Sequence, residues 1–301
     1  MTQGIPIGAI AALGTALLWT MSSLAWASSG RRIGTLAVTT HRLLITCVFL
    51  SVYGWVVHHS LFPTDADGRT WLLLGMSGVL GFFVSDICGF KALVSIGPRL
   101  TLLVQSLSPP TAAIVSWLFL GEALTARHVL AMVITLTGIV WVVLERPESA
   151  GAAVPVRHLA SGLVLAVTSA VAQALGMVLS RQGIGNYDAV SATYIRVLAA
   201  LPVYILLITV MRRWPALKAA LSDGRAMATV VAGTIVGPVL GVSLCMVALR
   251  HSPAGVVTTL VSTMPVLVLP FTVFIYGERV SRRAVAGALL SVLGVALMCL
   301  A

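Results

Sequence analysis

The chain carries one template twice, and this constrains it more than any single motif. Ser106, Pro109, Gly121, Glu122, Arg127 and Gly138 recur 156 residues later as Ser262, Pro265, Gly277, Glu278, Arg283 and Gly294. Ala92-Leu93 recurs as Ala248-Leu249 at the same offset. With a two-residue gap, Gly8, Trp19 and Arg42 stand opposite Gly162, Gln173 and Arg196. Each copy holds five apolar runs. Five is odd, so runs that cross a bilayer force the second copy to enter it upside down relative to the first. Inverted halves of this kind place their shared interface near the middle of the membrane.

Composition makes lipid the solvent. The chain is 58% hydrophobic and 9% charged with a mean hydropathy of +1.03, where a soluble domain is about 25% charged. The formal charge of +10 is spread over short segments between apolar runs. That pattern suits lipid headgroups and membrane orientation, and it argues against a nucleic-acid partner. Cys47, Cys88, Cys245 and Cys299 each lie inside an apolar run, so they form neither a disulfide framework nor a metal-ligand spacing. No metal or cofactor is expected.

About 20 apolar residues cross the hydrocarbon layer as a helix. That rule predicts spans near 5–28, 34–57, 70–92, 100–120, 128–145, 158–181, 189–211, 226–249, 255–276 and 283–300. Ala25-Trp26-Ala27 has the form of a signal-peptidase site, but Met1–Gly4 carries no basic residue and the apolar run is too long for a signal sequence. The run also aligns with residues 159–181 of the second copy, so it reads as a retained first span. The expected fold class is all-α integral membrane, with ten transmembrane helices in two inverted five-helix repeats around a central cavity. Residues 1–145 form the first repeat, 146–157 a Pro-, Ala-, Gly- and Ser-rich linker, and 158–301 the second repeat.

Prolines and glycines mark where these helices depart from regularity. Pro109, Pro110, Pro202, Pro238, Pro265 and Pro270 fall within spans, where each removes a helical hydrogen bond. Pro109 and Pro265 are equivalent, so spans 4 and 9 are expected to kink or break as a pair; Pro109, Pro110 and Pro265 are the candidates for gating. Gly233, Gly237 and Gly241 line one helix face and predict close approach of another backbone.

Thirteen of the 19 basic residues fall in one set of alternate loops, four in the other, and Arg42 and Arg196 lie within spans. Basic loops stay cytoplasmic, which puts both termini in the periplasm.

Most enzyme classes find no support. Gly75-Met76-Ser77-Gly78 has the form of an intramembrane serine protease motif, yet the six histidines sit at or near span ends. There is no His-Glu-x-x-His, no Walker-A sequence and, with Asp86 the lone carboxylate inside a span, no aspartyl dyad. The expectation is a non-enzyme; an intramembrane enzyme using Ser77, or a non-transporting membrane subunit, are the alternatives. A lone intramembrane acid marks function by default, so Asp86 is the coupling candidate, with an ion pair to Lys91 or an arginine as the structural reading. Arg42 and Arg196 could attract a carboxylate or snorkel to headgroups. Trp19, Ser85, Gln105, Ser106, Gln173, Tyr194, Ser243 and Ser262 complete the cavity and substrate-binding candidates. Glu122 and Glu278 are expected to favour the N-terminal end of the following helix.

The duplicated Pro109-to-Glu122 and Pro265-to-Glu278 segments, Arg42 and Arg196 early in spans 2 and 7, and Gly138 and Gly294 in the closing helices resemble the drug/metabolite transporter superfamily, EamA type, over almost all 301 residues. Within it the chain looks closest to the YddG amino-acid exporters. The resemblance implies a basket of spans 1–4 and 6–9 with spans 5 and 10 peripheral. It also implies export of small zwitterionic metabolites, amino acids including aromatic ones, by alternating access. The partners implied are an amino-acid-like solute and membrane lipid. Family habit places both termini in the cytoplasm, opposite to the loop charges. The sequence carries no signal for an oligomeric state.

Overall fold

The computed structural model describes residues 5–122, 124–144, 156–264, 266–267 and 281–300. Pro265, Pro270, Gly277, Glu278 and nearly all of the expected linker lie outside them. Among the described residues every regular element is helical. The first repeat comprises α1 (Ile5–Ile33), α2 (Thr35–His58), α3 (Gly68–Gly78), a π-helical segment π1 (Val79–Ser85), α4 (Asp86–Gln105), α5 (Ser108–Leu120) and α6 (Ala126–Leu144). The second comprises α7 (Val156–Ile184), α8 (Ala189–Val210), a short α9 (Trp214–Ala220), α10 (Gly224–Thr234), π2 (Ile235–Gly241), α11 (Val242–His251), α12 (Ala254–Val261) and α13 (Arg282–Leu300).

Local chemistry sets the boundaries. The carboxylates of Asp67, Asp188 and Asp223 accept from the backbone N–H of Thr70, Ser191 and Ala226 and so cap α3, α8 and α10. Gly121, at φ 65°, closes α5 in the left-handed conformation that glycine adopts without strain. Arg32 at the end of α1 donates two hydrogen bonds to Asp223, at 2.8 and 3.2 Å. Those bonds, then the Ala226 N–H, hold the Asp223 carboxyl below the usual carboxylate range.

Among the described residues six stretches are long and apolar enough to cross a membrane: Ile7–Gly30, Thr35–His58, Gly68–Leu93, Leu159–Ile184, Ala189–Val210 and Gly224–His251. Ser108–Leu120, Ala126–Trp141 and Val285–Leu297 are shorter apolar helices. The distribution of residue types is that of a bundle in lipid. Val48, Phe49, Val52, Trp55, Trp117, Phe119, Leu289 and Val292 point outward, while Ala12, Ala16, Thr15, Thr20, Thr46 and Thr135 are buried. Lipid provides no hydrophobic drive between helices, so small residues and close packing hold them together. Several buried hydroxyls are satisfied within their own helices: Thr15 donates to Ala11 O, Thr20 to Ala16 O and Thr46 to Arg42 O, each four residues back.

The two repeats run in opposite directions. Gly8, at the start of α1, packs on Ser252. Arg181, at the end of the equivalent helix α7, bonds Glu122 and the carbonyl of Arg250. The beginning of one helix thus shares an end of the bundle with the finish of its counterpart. At the opposite end Ser29 of α1 donates to Ala226 O of α10. The chain turns back within α4, so that its two ends meet: a Cβ on Gly89 would lie 3.7 Å from the Gln105 amide nitrogen.

The closing helices α6 and α13 pack on each other through Gly138 and Gly294. A Cβ on Gly138 would fall 2.4 Å from the Ser291 backbone N, and one on Gly294 2.5 Å from that of Thr135. This is glycine-mediated backbone approach. The α10–α11 stripe works differently from expectation. Gly233, Gly237 and Gly241 meet side chains of α1: the Trp26 indole, Ser22 and the Trp19 indole respectively. The missing side chains make room for two aromatic rings rather than for a second backbone.

Departures from regular helix occur at equivalent positions. Val79–Ser85 and Ile235–Gly241 are both π-helical and lie 156 residues apart. The breaks at Ser106–Leu107 and Ser262–Thr263 share that offset. Pro238 lies in π2, but its equivalent in π1 is Phe82, so proline alone does not cause the π geometry. Pro109 and Pro110 occupy the first turn of α5, where the missing N–H has no helical partner to lose. They therefore start a helix after a break instead of kinking its middle.

Candidate functional site

The π-segments face each other across a cavity of about 160 Å³ between the repeats. Its wall contains four pairs of equivalent positions, Trp19 and Gln173, Arg42 and Arg196, Phe82 and Pro238, and Asp86 and Val242, together with Gly81. Ser23, Trp26 and Met264 complete it. Five sequence-predicted residues, Trp19, Arg42, Asp86, Gln173 and Arg196, therefore meet in one place.

Each arginine lies about two turns from the start of its helix, one entering from each end of the bundle. Neither snorkels to a headgroup: Arg42 is 6% exposed and Arg196 4%. Asp86 pairs with Arg42 and not with Lys91, which is exposed. The Arg42 guanidinium also lies 4.7 Å above the Trp26 ring. Arg196 is placed differently. Its guanidinium lies 4.9 Å from the Phe82 ring centroid and its Nη1 reaches the Met246 Sδ at 3.8 Å. The ion pairs among the described residues are Arg32–Asp223, Arg42–Asp86, His58–Asp188 and Arg181–Glu122, and none includes Arg196.

The energetic consequence is clear in magnitude. A cation–π contact contributes about 0.5–2 kcal/mol, whereas desolvating an ion costs several kcal/mol even after relaxation. Phe82 does not offset the burial of Arg196. The nitrogens Trp26 Nε1, Arg42 Nε and Arg196 Nε also lack hydrogen-bond partners. All three are donors, and all three belong to cavity residues.

Glycines fit the helices around these groups. A Cβ on Gly78 would fall 2.1 Å from the Arg196 carbonyl oxygen. One on Gly81 would fall 3.1 Å from Arg196 Nη2 and 3.9 Å from Gln173 Oε1. The bare Gly81 backbone leaves the guanidinium open to the cavity.

The remaining candidates are placed elsewhere. Gln105 donates to Ser169, whose hydroxyl donates to the Ser85 carbonyl, so Gln105 and Ser85 form a polar link between α4, π1 and α7. Ser243 bonds Thr193, and Ser262 donates to Thr258 O. Ser106 is half-buried at the break between α4 and α5. Tyr194 lies toward the end of the bundle, bonded to Ser51 and the Leu61 carbonyl. Ser77 donates to Leu74 O and accepts from Ser180, with no histidine among these partners.

Trp26, Phe82, Gly81 and Met264 were not anticipated. Trp26 lies seven residues beyond Trp19, which places both rings on one helix face, and Gly81 matches Gly237 at the repeat offset. Glu122 is also placed differently from expectation. It accepts from Arg181 at 2.8 Å and from the Ala254 N–H at 3.4 Å, so it serves the start of α12 rather than that of α6.

The sequence profile of the EamA-like transporter family matches residues 6–144 and 160–300, both repeats in full view. The chain belongs to the EamA-like transporter family. A protein of known crystal structure shares the fold, with a TM-score of 0.78 at 22% identity over 96% of this chain and 95% of that one. No curated protein matches the sequence. Members of the EamA-like family are transporters, and this one is a multi-pass membrane protein whose interior cavity lies where its two family repeats meet.

Proposed function

We propose that the protein exports small zwitterionic metabolites, amino acids foremost and aromatic ones among them, across the bacterial inner membrane by alternating access. The observation that carries this reading is the charge pattern of the cavity: two arginines, one aspartate and three aromatic walls, Trp19, Trp26 and Phe82. The Arg42–Asp86 pair is internally neutralised, leaving one cation. Such a site has no means to bind a polycation and little to hold a strongly anionic solute. A molecule with one carboxylate, one ammonium and an apolar body fits it. The cavity has room for an aromatic ring: about 160 Å³ is close to the roughly 150 Å³ of an engineered cavity that accepts benzene.

Alternating access needs elements with two arrangements. Paired π-segments and paired helix breaks around one cavity are suitable, since π-geometry and breaks mark places where helices rearrange. Asp86 remains the candidate for proton coupling. The test is exchange of labelled amino acids in proteoliposomes, with and without a pH gradient. Saturable exchange supports the reading; equal leakage of every solute would indicate a channel.

A further inference from the structure

We propose that Arg196 is the anion anchor of the cavity, binding the carboxylate of the solute, and that it is open for this because the second repeat carries Val242 where the first carries Asp86. The inference rests on the reading above and assigns the polarity of the bound solute.

The argument begins with register. Asp86 is the first residue after π1, and Val242 is the first residue after π2. Arg42 on α2 and Arg196 on α8 are likewise equivalent. Geometry that pairs Arg42 with Asp86 would pair Arg196 with an acid at position 242. That position holds a valine, 3% exposed. Arg196 itself is 4% exposed, lines the cavity, and has an Nε without a partner.

A carboxylate meets a guanidinium through two parallel hydrogen bonds, the geometry that most favours arginine over other donors. Gly81 leaves that face uncovered, and Gln173 stands beside it. Asp86 provides the complement. Its side chain is 24% exposed although it is paired with Arg42, so it retains acceptor capacity toward the cavity. A zwitterion therefore binds with its carboxylate toward α8 and its ammonium toward the start of α4. The aromatic body then lies against Trp19 and Trp26.

Phenylalanine, phenethylamine and 3-phenylpropanoate share one apolar body and differ in their charged groups. They would be compared as inhibitors of amino-acid exchange by the reconstituted full chain. Wild type should be inhibited by the two carboxylates far more than by phenethylamine. Arg196→Gln should weaken inhibition by both carboxylates about tenfold to a hundredfold and erase the discrimination, with Arg196→Lys partly restoring it. Val242→Asp supplies an internal carboxylate and should produce the same loss, while the near-isosteric Val242→Asn should not. Unchanged discrimination in Arg196→Gln, or unchanged binding in Val242→Asp that is folded by thermal melting, would overturn the proposal.

Failure of the transport reading would look different. Wild type would then exchange no zwitterion, yet propanoate would still raise its melting temperature and leave Arg196→Gln unmoved. If chloride alone produced that shift, the anchor would serve inorganic anions and the solute assignment would fall.

Discussion

Asp86 carries more of the cavity's balance than any other residue. Its carboxylate neutralises a guanidinium that is only 6% exposed, so Asp86→Asn leaves a buried cation uncompensated. Breaking a fully buried pair costs about 3–5 kcal/mol; cavity water reduces this to about 1–3 kcal/mol because Asp86 is 24% exposed. The Arg42→Gln/Asp86→Asn double variant should be more stable than Asp86→Asn alone, as thermal melting would show. A double variant less stable than the single would contradict a mutual role. If Asp86 also carries the coupling proton, Asp86→Asn abolishes pH-driven accumulation and spares exchange. Gly237 makes a second prediction: a Cβ there would lie 2.7 Å from Ser22 Oγ and 2.9 Å from the Trp26 ring. Overpacking of that order costs about 1–3 kcal/mol. Gly237→Ala should lower the melting temperature and slow aromatic solutes more than alanine in the exchange assay; unchanged values of both would show the ring is not held there.

At the scale of elements, pairing by symmetry explains what single-helix reasoning missed. Six of the expected spans, and the breaks at Ser106–Leu107 and Ser262–Thr263, were legible because apolar length and helix-breaking residues are local signals. The π-segments were not, because no residue type compels them: one contains Pro238 and its counterpart Phe82 in the same place. The glycine stripe was legible as a groove, but its occupant depended on which neighbour arrived. Trp19, Ser22 and Trp26 lie on the facing side of α1, and only packing between the repeats brings them there. Asp86 and Arg42 were both visible as functional candidates, whereas their pairing is a tertiary fact. Backbone bonds in π-geometry are poorer than those in regular helix. Amides of Val79–Ser85 and Ile235–Gly241 should therefore exchange hydrogen faster than those of adjoining α3 and α11. Equal protection across these boundaries would argue against the segments as points of movement.

Across the whole molecule, inverted repeats create one cavity and two ends. At one end Glu122 of the first repeat joins Arg181 and Ala254 of the second; at the other Arg32 joins Asp223. These links stabilise contacts that must change if each end opens in turn. The end holding Arg32, Arg212, Arg213, Lys218, Arg225, Arg282 and Arg283 is the more basic, which predicts that it faces the cytoplasm and that the termini face the periplasm. An alkaline phosphatase fused after Ala301 should then be active and a green fluorescent protein dark; the reverse pair would establish the opposite orientation.

The central claim is that the cavity between the repeats is a solute path reached from both sides of the membrane. Ser23 tests it most directly because it lines the cavity and is only half-buried. Ser23→Cys, placed in a chain whose four native cysteines are replaced by serine or alanine, would be treated with a membrane-impermeant maleimide. The reagent would be added from one side of sealed vesicles and then, separately, from the other. The account predicts labelling from either side and slower labelling when a transported amino acid is present. Labelling from neither side, or from one side alone under every condition and indifferent to solute, would contradict it.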